Sequence, residues 1–200
     1  MDASGQCGLC RAGLNQFDSA YAYSAYEGVL RDLIHLFKYA RVRPLGKVLG
    51  AYLGAALPRE ERFDLVVPMP LYWVRHWRRG FNQSDVLARE VARRSGIPVA
   101  HAVRRARSTA PQASLSRAGR RRNVSGAFAP RRGVDVRGLR ILLVDDVLTT
   151  GATANACAGA LKRAGARYVA VLAVARADHR VFVPGASSPP EPAVLVGGEG

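Results

Sequence analysis

Apolar and polar positions along this chain keep two rhythms, and each switch between them marks an element. "AYAYSAY", Ala20 to Tyr26, alternates at period two and is rich in aromatics, so a strand is predicted there. Leu30, Leu33, Ile34 and Phe37 then keep the i, i+3, i+4, i+7 spacing of an amphipathic helix. A second helix is predicted after Pro44. In it Gly46, Gly50 and Gly54 recur every fourth residue, a smooth stripe suited to close packing against a sheet. "FDLVVPMP", Phe63 to Pro70, reads as a buried strand running into a loop stiffened by its prolines. Helical spacing returns from Asn82, with Leu87 and Val91 inward and Gly96 as the stop. "IPVA" is predicted as a short strand. From about Arg104 to Asn123 the chain is polar and basic, without an apolar period; a loop of that length is functional or disordered.

The last third carries the strongest pattern. "LRILLVDD" is nearly continuous in apolar residues up to its acids, as in a parallel strand covered on both faces. Ala154, Cys157, Ala158 and Leu161 share one helix face, Gly165 stops that helix, and "YVAVLAVA", Tyr168 to Ala175, is another buried strand. Strand, helix, strand is a βαβ unit, so the fold class is α/β with a mostly parallel sheet flanked by helices. The tail from about Pro184 is rich in Pro, Gly and Ser and is expected to be unstructured.

Composition narrows the partner. The chain has 200 residues, 48% of them hydrophobic, enough for one ordinary domain with a real core. Its net charge is +15, which favours an anionic partner: nucleic acid, a phosphorylated metabolite, or both. Arginine-rich chains are also common in high-GC coding sequence, so charge alone does not choose. No stretch reaches the roughly 18 apolar residues of a membrane span, so no membrane insertion is expected. The start shows no secretory signal, and three cysteines make a poor disulfide framework, so a cytoplasmic location is expected.

The central chemistry lies in "ILLVDDVLTTGAT", Ile141 to Thr153. Ligands of open parallel sheets bind outside the carboxyl ends of the strands. The apolar run Arg140–Val144 ends at Asp145 and Asp146, which places both acids at that edge. The next residues turn into a helix whose first N–H groups are unpaired and carry partial positive charge. With Gly151 for close approach and the hydroxyls of Thr149, Thr150 and Thr153, the turn is a phosphate cradle. Two acceptors beside one phosphate site suit a sugar phosphate. The stretch lacks the Gly-Lys-Ser/Thr of a Walker loop and the glycine spacing of a dinucleotide fingerprint.

This stretch resembles the ribose-5-phosphate signature of type I phosphoribosyltransferases. The resemblance implies that fold, with a flexible hood loop. It also implies that Asp145 and Asp146 take the ribose hydroxyls of phosphoribosyl pyrophosphate (PRPP) as the catalytic pair. Thr149, Thr150, Gly151, Ala152 and Thr153 would take the 5-phosphate. More of the chain, from Tyr26 to Ala175, resembles one branch, the ComF family of competence-associated proteins. The matching pieces are "YEGVLRDLIHLFKY", "DLVVPMPL", "RRGFNQS", "TAPQASLSRAGRRRNVSGAF" and the signature itself. By that resemblance Pro68 and Met69 face the pyrophosphate. Arg79 joins them beside Gly80, and the basic segment with Gln112 and Arg121 is a mobile hood that closes over the diphosphate. Mg2+ is the implied cofactor, bridging diphosphate and ribose oxygens.

The domain plan is then a head at 1–18, a phosphoribosyltransferase-like domain at 19–183 and a tail at 184–200. Family members usually carry two cysteine pairs in a head resembling a zinc ribbon. Here only Cys7 and Cys10 are present, short of the four ligands of a structural site, so Zn2+ is not expected in this chain as it stands. A first pair upstream of Met1 stays open. His35 is expected on a helix surface and Cys157 in the core. No acceptor substrate and no general base are evident. Three readings therefore remain: a phosphoribosyltransferase, a non-catalytic single-stranded DNA-binding competence factor with a helicase partner, and a regulatory PRPP sensor.

Overall fold

The computed structural model describes residues 15–40, 42–71, 81–106 and 126–177. In chain order these form β1 (Ser19–Ala25), α1 (Gly28–Tyr39), α2 (Leu45–Ala56), β2 (Leu65–Pro68), α3 (Gln83–Ser95), β3 (Val103–Arg105), β4 (Phe128–Pro130), β5 (Arg140–Leu148), α4 (Ala152–Arg163) and β6 (Tyr168–Arg176). Four strands make one sheet in the order β1-β6-β5-β2, and every pairing in it is parallel. "IPVA" adds only an isolated parallel bridge, Val66 to Val99.

Side-chain alternation divides the core into two layers. Ile141, Leu143, Val169 and Val171 face one way, onto Cys157, Ala158 and Leu161 of α4. Leu142, Val144, Ala170 and Leu172 face the other way, onto Ile34 and Phe37 of α1, Leu49 and Leu53 of α2, and Leu87 and Val91 of α3. β5 and β6 are covered on both faces, which is why they read as unbroken apolar runs rather than alternating ones. At the opposite end of the sheet from the acids, Arg140 closes the base. Its guanidinium binds Glu61 at 3.0 Å and lies 4.1 Å from the centre of the Tyr168 ring.

Two differences from the sequence reading have physical causes. The glycine stripe of α2 faces a helix, α3, and not a sheet. A Cβ on Gly46 would stand 2.5 Å from Val86 Cγ1, and one on Gly50 would stand 2.5 Å from Glu90 Cβ. The missing side chains let the two helices approach closely. Arg104 and Arg105 belong to a strand rather than to an unpatterned loop: β3 pairs antiparallel with β4, joining Arg105 to Phe128. Three residues are too few for an apolar period to show. The expected tail at 184–200 and most of the head at 1–18 lie outside the described residues. Residues 16–18 are tied to the sheet, with Asp18 binding the Val169 N–H at 2.7 Å and Lys162 Nζ at 2.7 Å.

The helix contact predicts opposite effects at neighbouring glycines. Alanine in a helix interior gains up to about 1 kcal/mol over glycine. At Gly50 that gain is outweighed, because overpacking against a Cβ that cannot swing away costs about 1–3 kcal/mol. At Gly54 the nearest atom is the flexible Arg94 Cδ at 3.3 Å, which can give way. Thermal melting should show Gly50→Ala below the parent and Gly54→Ala at or above it.

Candidate functional site

The site begins where β2 stops and β5 continues. The β2 ladder ends at Pro68 opposite Val144, with one further bond from Met69 N–H to Val144 O at 2.8 Å. β5 runs on to Leu148, paired with β6 alone. Asp145 and Asp146 therefore lie inside the strand, correcting the expectation that the strand ends before them. β2 does not flank the acids, because its ladder stops at Pro68. The N-terminus of α3 reaches this end of β2: Asn82 caps the helix by accepting the Ser84 N–H at 3.2 Å and donates Nδ2 to Met69 O at 3.1 Å. Both backbone polar groups of Met69 are thus engaged within the protein, holding β2, β5 and α3 together.

Each acid has one oxygen engaged. Asp145 Oδ1 accepts from Ser84 Oγ at 3.0 Å and from the Asp146 N–H at 2.9 Å. Asp146 Oδ1 lies 2.8 Å from Lys38 Nζ at the end of α1, an ion pair with both side chains largely buried. Among the described residues no hydrogen-bond donor reaches Oδ2 of either acid. Burial first and the Asp146 charge second raise the Asp145 carboxyl well above the usual carboxylate range. The Asp146 N–H, Lys38 and Ser84 pull it back only in part. Among the described residues Lys38 is the one cation paired with them.

Three residues further along β5, roughly 10 Å at strand rise, the turn begins. Thr149 and Thr150 are exposed, and Gly151 takes φ 71° as the N-cap of α4, a left-handed conformation that favours glycine. Thr150 Oγ1 sits 3.5 Å from Ala152 N, at the outer limit of a hydrogen bond. The first turn of α4 therefore keeps N–H groups for another acceptor. No hydrogen bond joins this turn to the acids; the strand alone sets their spacing. Phe17 packs over Gly151, with its ring 3.8 Å from where a Cβ would stand.

The Phosphoribosyl transferase domain model matches residues 79–186. The DNA utilization protein YhgH of Salmonella typhi is 36% identical over 180 residues, covering 85% of this chain and 77% of that protein. Competence protein F of Haemophilus influenzae is 33% identical over 181 residues, 86% of this chain and 78% of that one. Competence protein ComFC of Streptococcus pneumoniae is 28% identical, with 84% and 71% covered. The chain belongs to the ComF family. Its fold is that of the type I phosphoribosyltransferases. A solved glutamine phosphoribosylpyrophosphate amidotransferase from B. subtilis shares 28% identity at a TM-score of 0.44, over 63% of this chain and 25% of that one.

In this ComF-family chain the structure gathers Asp145, Asp146, Pro68 and Met69, and places Thr149, Thr150, Gly151, Ala152 and Thr153 just beyond β5, in the turn and the start of α4. Arg79, Gln112 and Arg121 lie outside the described residues, as do Cys7 and Cys10. Lys38 and Ser84 were missed by the sequence reading. Lys38 follows core residue Phe37 in "LIHLFKY", where only the apolar spacing was read; a lone cation beside a helix's buried face was the signal. Cys157 is buried, and burial, then the Asp145 charge, push its thiol up, so it stays a neutral core residue. His35 is exposed against Tyr39, ring centres 4.4 Å apart.

The raised Asp145 carboxyl carries a stability signature. Its folded-state pKa lies above the unfolded value near 3.9, so its charge opposes folding. That cost is absent below about pH 4, grows as pH rises, and is complete above the folded-state pKa. Asn at position 145 keeps an oxygen for Ser84 and removes the charge. Asp145→Asn should therefore melt higher than the parent at pH 8, by about 2–4 °C per kcal/mol recovered, with the gain shrinking towards pH 4.

Proposed function

We propose that this protein binds PRPP together with Mg2+. In this reading the Oδ2 atoms of Asp145 and Asp146 take the ribose hydroxyls, and the Thr149–Thr153 turn takes the 5-phosphate. The observation that carries the reading is the pair of acid oxygens that no donor among the described residues reaches, beyond the end of the β2 ladder and in line with a glycine-capped helix start. Two hydroxyls offer the donors those oxygens lack. A phosphate accepts from the N–H groups that Ala152, Thr153 and Ala154 present at the α4 start. Lys38 leaves the pair with one net negative charge, so the site can meet a polyanionic ligand without facing it with two.

The donor set fits a magnesium ion carried in with the ligand. Carboxylate oxygens are hard donors, and no group of three or more metal-ligating side chains occurs among the described residues, so the ligand's own oxygens and water would complete the shell. Asp145 and Asp146 would hold it through the ribose they orient. When bound, the ion supplies neutralisation of the diphosphate charge. Arg79, Gln112 and Arg121 are proposed to close over that diphosphate. We place the protein in the handling of DNA during uptake, as its relatives' names, competence and DNA utilization, suggest; single-stranded DNA and a helicase are the partners of that setting. No described helix is long and apolar enough to cross a membrane.

Calorimetric titration with PRPP and Mg2+ tests the reading. The parent should bind. Asp145→Asn/Asp146→Asn should lose roughly 10–100-fold for each charged hydrogen bond removed, at about 1.5–3 kcal/mol apiece. Gly151→Val should weaken binding by straining the turn. Pyrophosphate release with a panel of nucleobase and amine acceptors then separates transfer from sensing. Parent protein that gives no heat with the ligand would rule the site out.

A further inference from the structure

A second opening lies beside the N-terminus of α3, where Phe81, Asn82 and Asp85 form part of its wall. It has a volume of about 760 Å³ and contains none of Asp145, Asp146 or the Thr149–Thr153 turn. Arg43, Arg89, Arg104, Arg105 and Arg131 line it, drawn from the α1–α2 connection, α3, β3 and the segment after β4. The one acid on its wall, Asp85, is paired with Arg89 Nε at 3.1 Å, which leaves the wall with a net positive charge. Five guanidinium groups brought by four parts of the chain to one concavity concentrate positive potential there, a potential that draws in an anion. Arginine is also the side chain best shaped to grip phosphate, through its planar fork.

Phosphate alone does not account for the rest of the wall. Leu71, Phe81 and Val103 give the cavity an apolar side, and Arg43 lies 5.0 Å from the centre of the Phe81 ring. The volume falls within the roughly 300–1,000 Å³ of small-molecule sites, with room for a flat ring beside an anion. Guanidinium planes and apolar walls both accept such rings. We propose that this cavity is a second ligand site, taking a nucleotide unit, a base with its phosphate, either free or within a single strand. The strand as ligand rests on the DNA-handling role proposed above, whereas the site itself does not rest on the PRPP reading: it adjoins the loop after β2 but shares no acid and no phosphate turn with that site.

The test uses the full chain with two probes. One is thymidine monophosphate by calorimetry, and the other a labelled strand of about ten thymidines by anisotropy, a length within the reach of single-strand sites. Arg104→Glu/Arg131→Glu reverses two exposed charges of the cavity. Arg62→Glu/Arg167→Glu makes the same net change with exposed residues at the far end of the sheet. Melting curves establish that both variants fold.

The cavity pair should weaken binding by about tenfold or more and flatten the salt dependence by about 1–1.5 in log–log slope, as expected for two lost contacts to a single strand. The far pair should cost less than about threefold, through bulk charge. Binding of the strand without the mononucleotide identifies a strand as the ligand; comparable binding of both identifies the free nucleotide. Three results would overturn the proposal: neither probe binds, the two arginine pairs lose binding equally, or binding disappears in Asp145→Asn/Asp146→Asn while surviving in the cavity pair. Nucleotide binding that persists in a protein showing no heat with PRPP would separate this site from the one proposed above.

Discussion

Adjacent carboxylates on one strand repel each other, and their repulsion is the constraint around which the rest of this molecule is arranged. Asp145 and Asp146 are each met by a different helix of the same layer. Ser84 comes to Asp145 from the first turn of α3, and Lys38 comes to Asp146 from the last turn of α1. Neither contact is strong enough to cancel the other acid. What they do is orient the charges and leave one oxygen of each unshared. Keeping such a pair in a folded core costs stability, a cost that proteins concentrate at functional sites.

The helices that meet the acids are themselves placed by packing elsewhere. α3 is pressed onto the glycine face of α2, and α1 is set by Ile34 and Phe37, both fully buried against the even-numbered residues of β5 and β6. A shift of either helix would move Ser84 or Lys38 away from its carboxylate. The polar centre thus inherits its geometry from apolar contacts on the same side of the sheet, a dependence seen in many sites mounted on α/β scaffolds.

Much of this was legible in the amino-acid order. The runs "LRILLVDD" and "YVAVLAVA" announce strands covered on both faces, and the alternation of "AYAYSAY" announces the edge strand. The acids and the Thr-Thr-Gly-Ala-Thr turn announce themselves by breaking an apolar run. Other features were not legible, for reasons of scale. β3 and β4 are three residues each, too short for a period. The continuation of β5 past its acids depends on a neighbour, β6, that a local window does not see. Lys38 and Ser84 act across more than 60 residues of chain, and a cation or a hydroxyl on a helix carries no mark of what it will meet. The glycine stripe announced a close approach but not its partner, since sheets and helices leave the same demand for small residues.

The edge strand has a consequence for how the molecule assembles. β1 pairs along its length with β6, Ser19 beside Ala170, and among the described residues has no other partner in the sheet. During synthesis it emerges early and finds its ladder only when the last strand follows. Pairings so distant in sequence slow folding, because the chain must be closed into a long loop before any contact rewards it. Until then β1 is an uncovered ribbon with unpaired amides and four alanine and tyrosine positions in a row, Ala20 to Tyr23, open to the wrong neighbours. A ribosome-stalled fragment ending before Tyr168 would hold that ribbon in search of a mate.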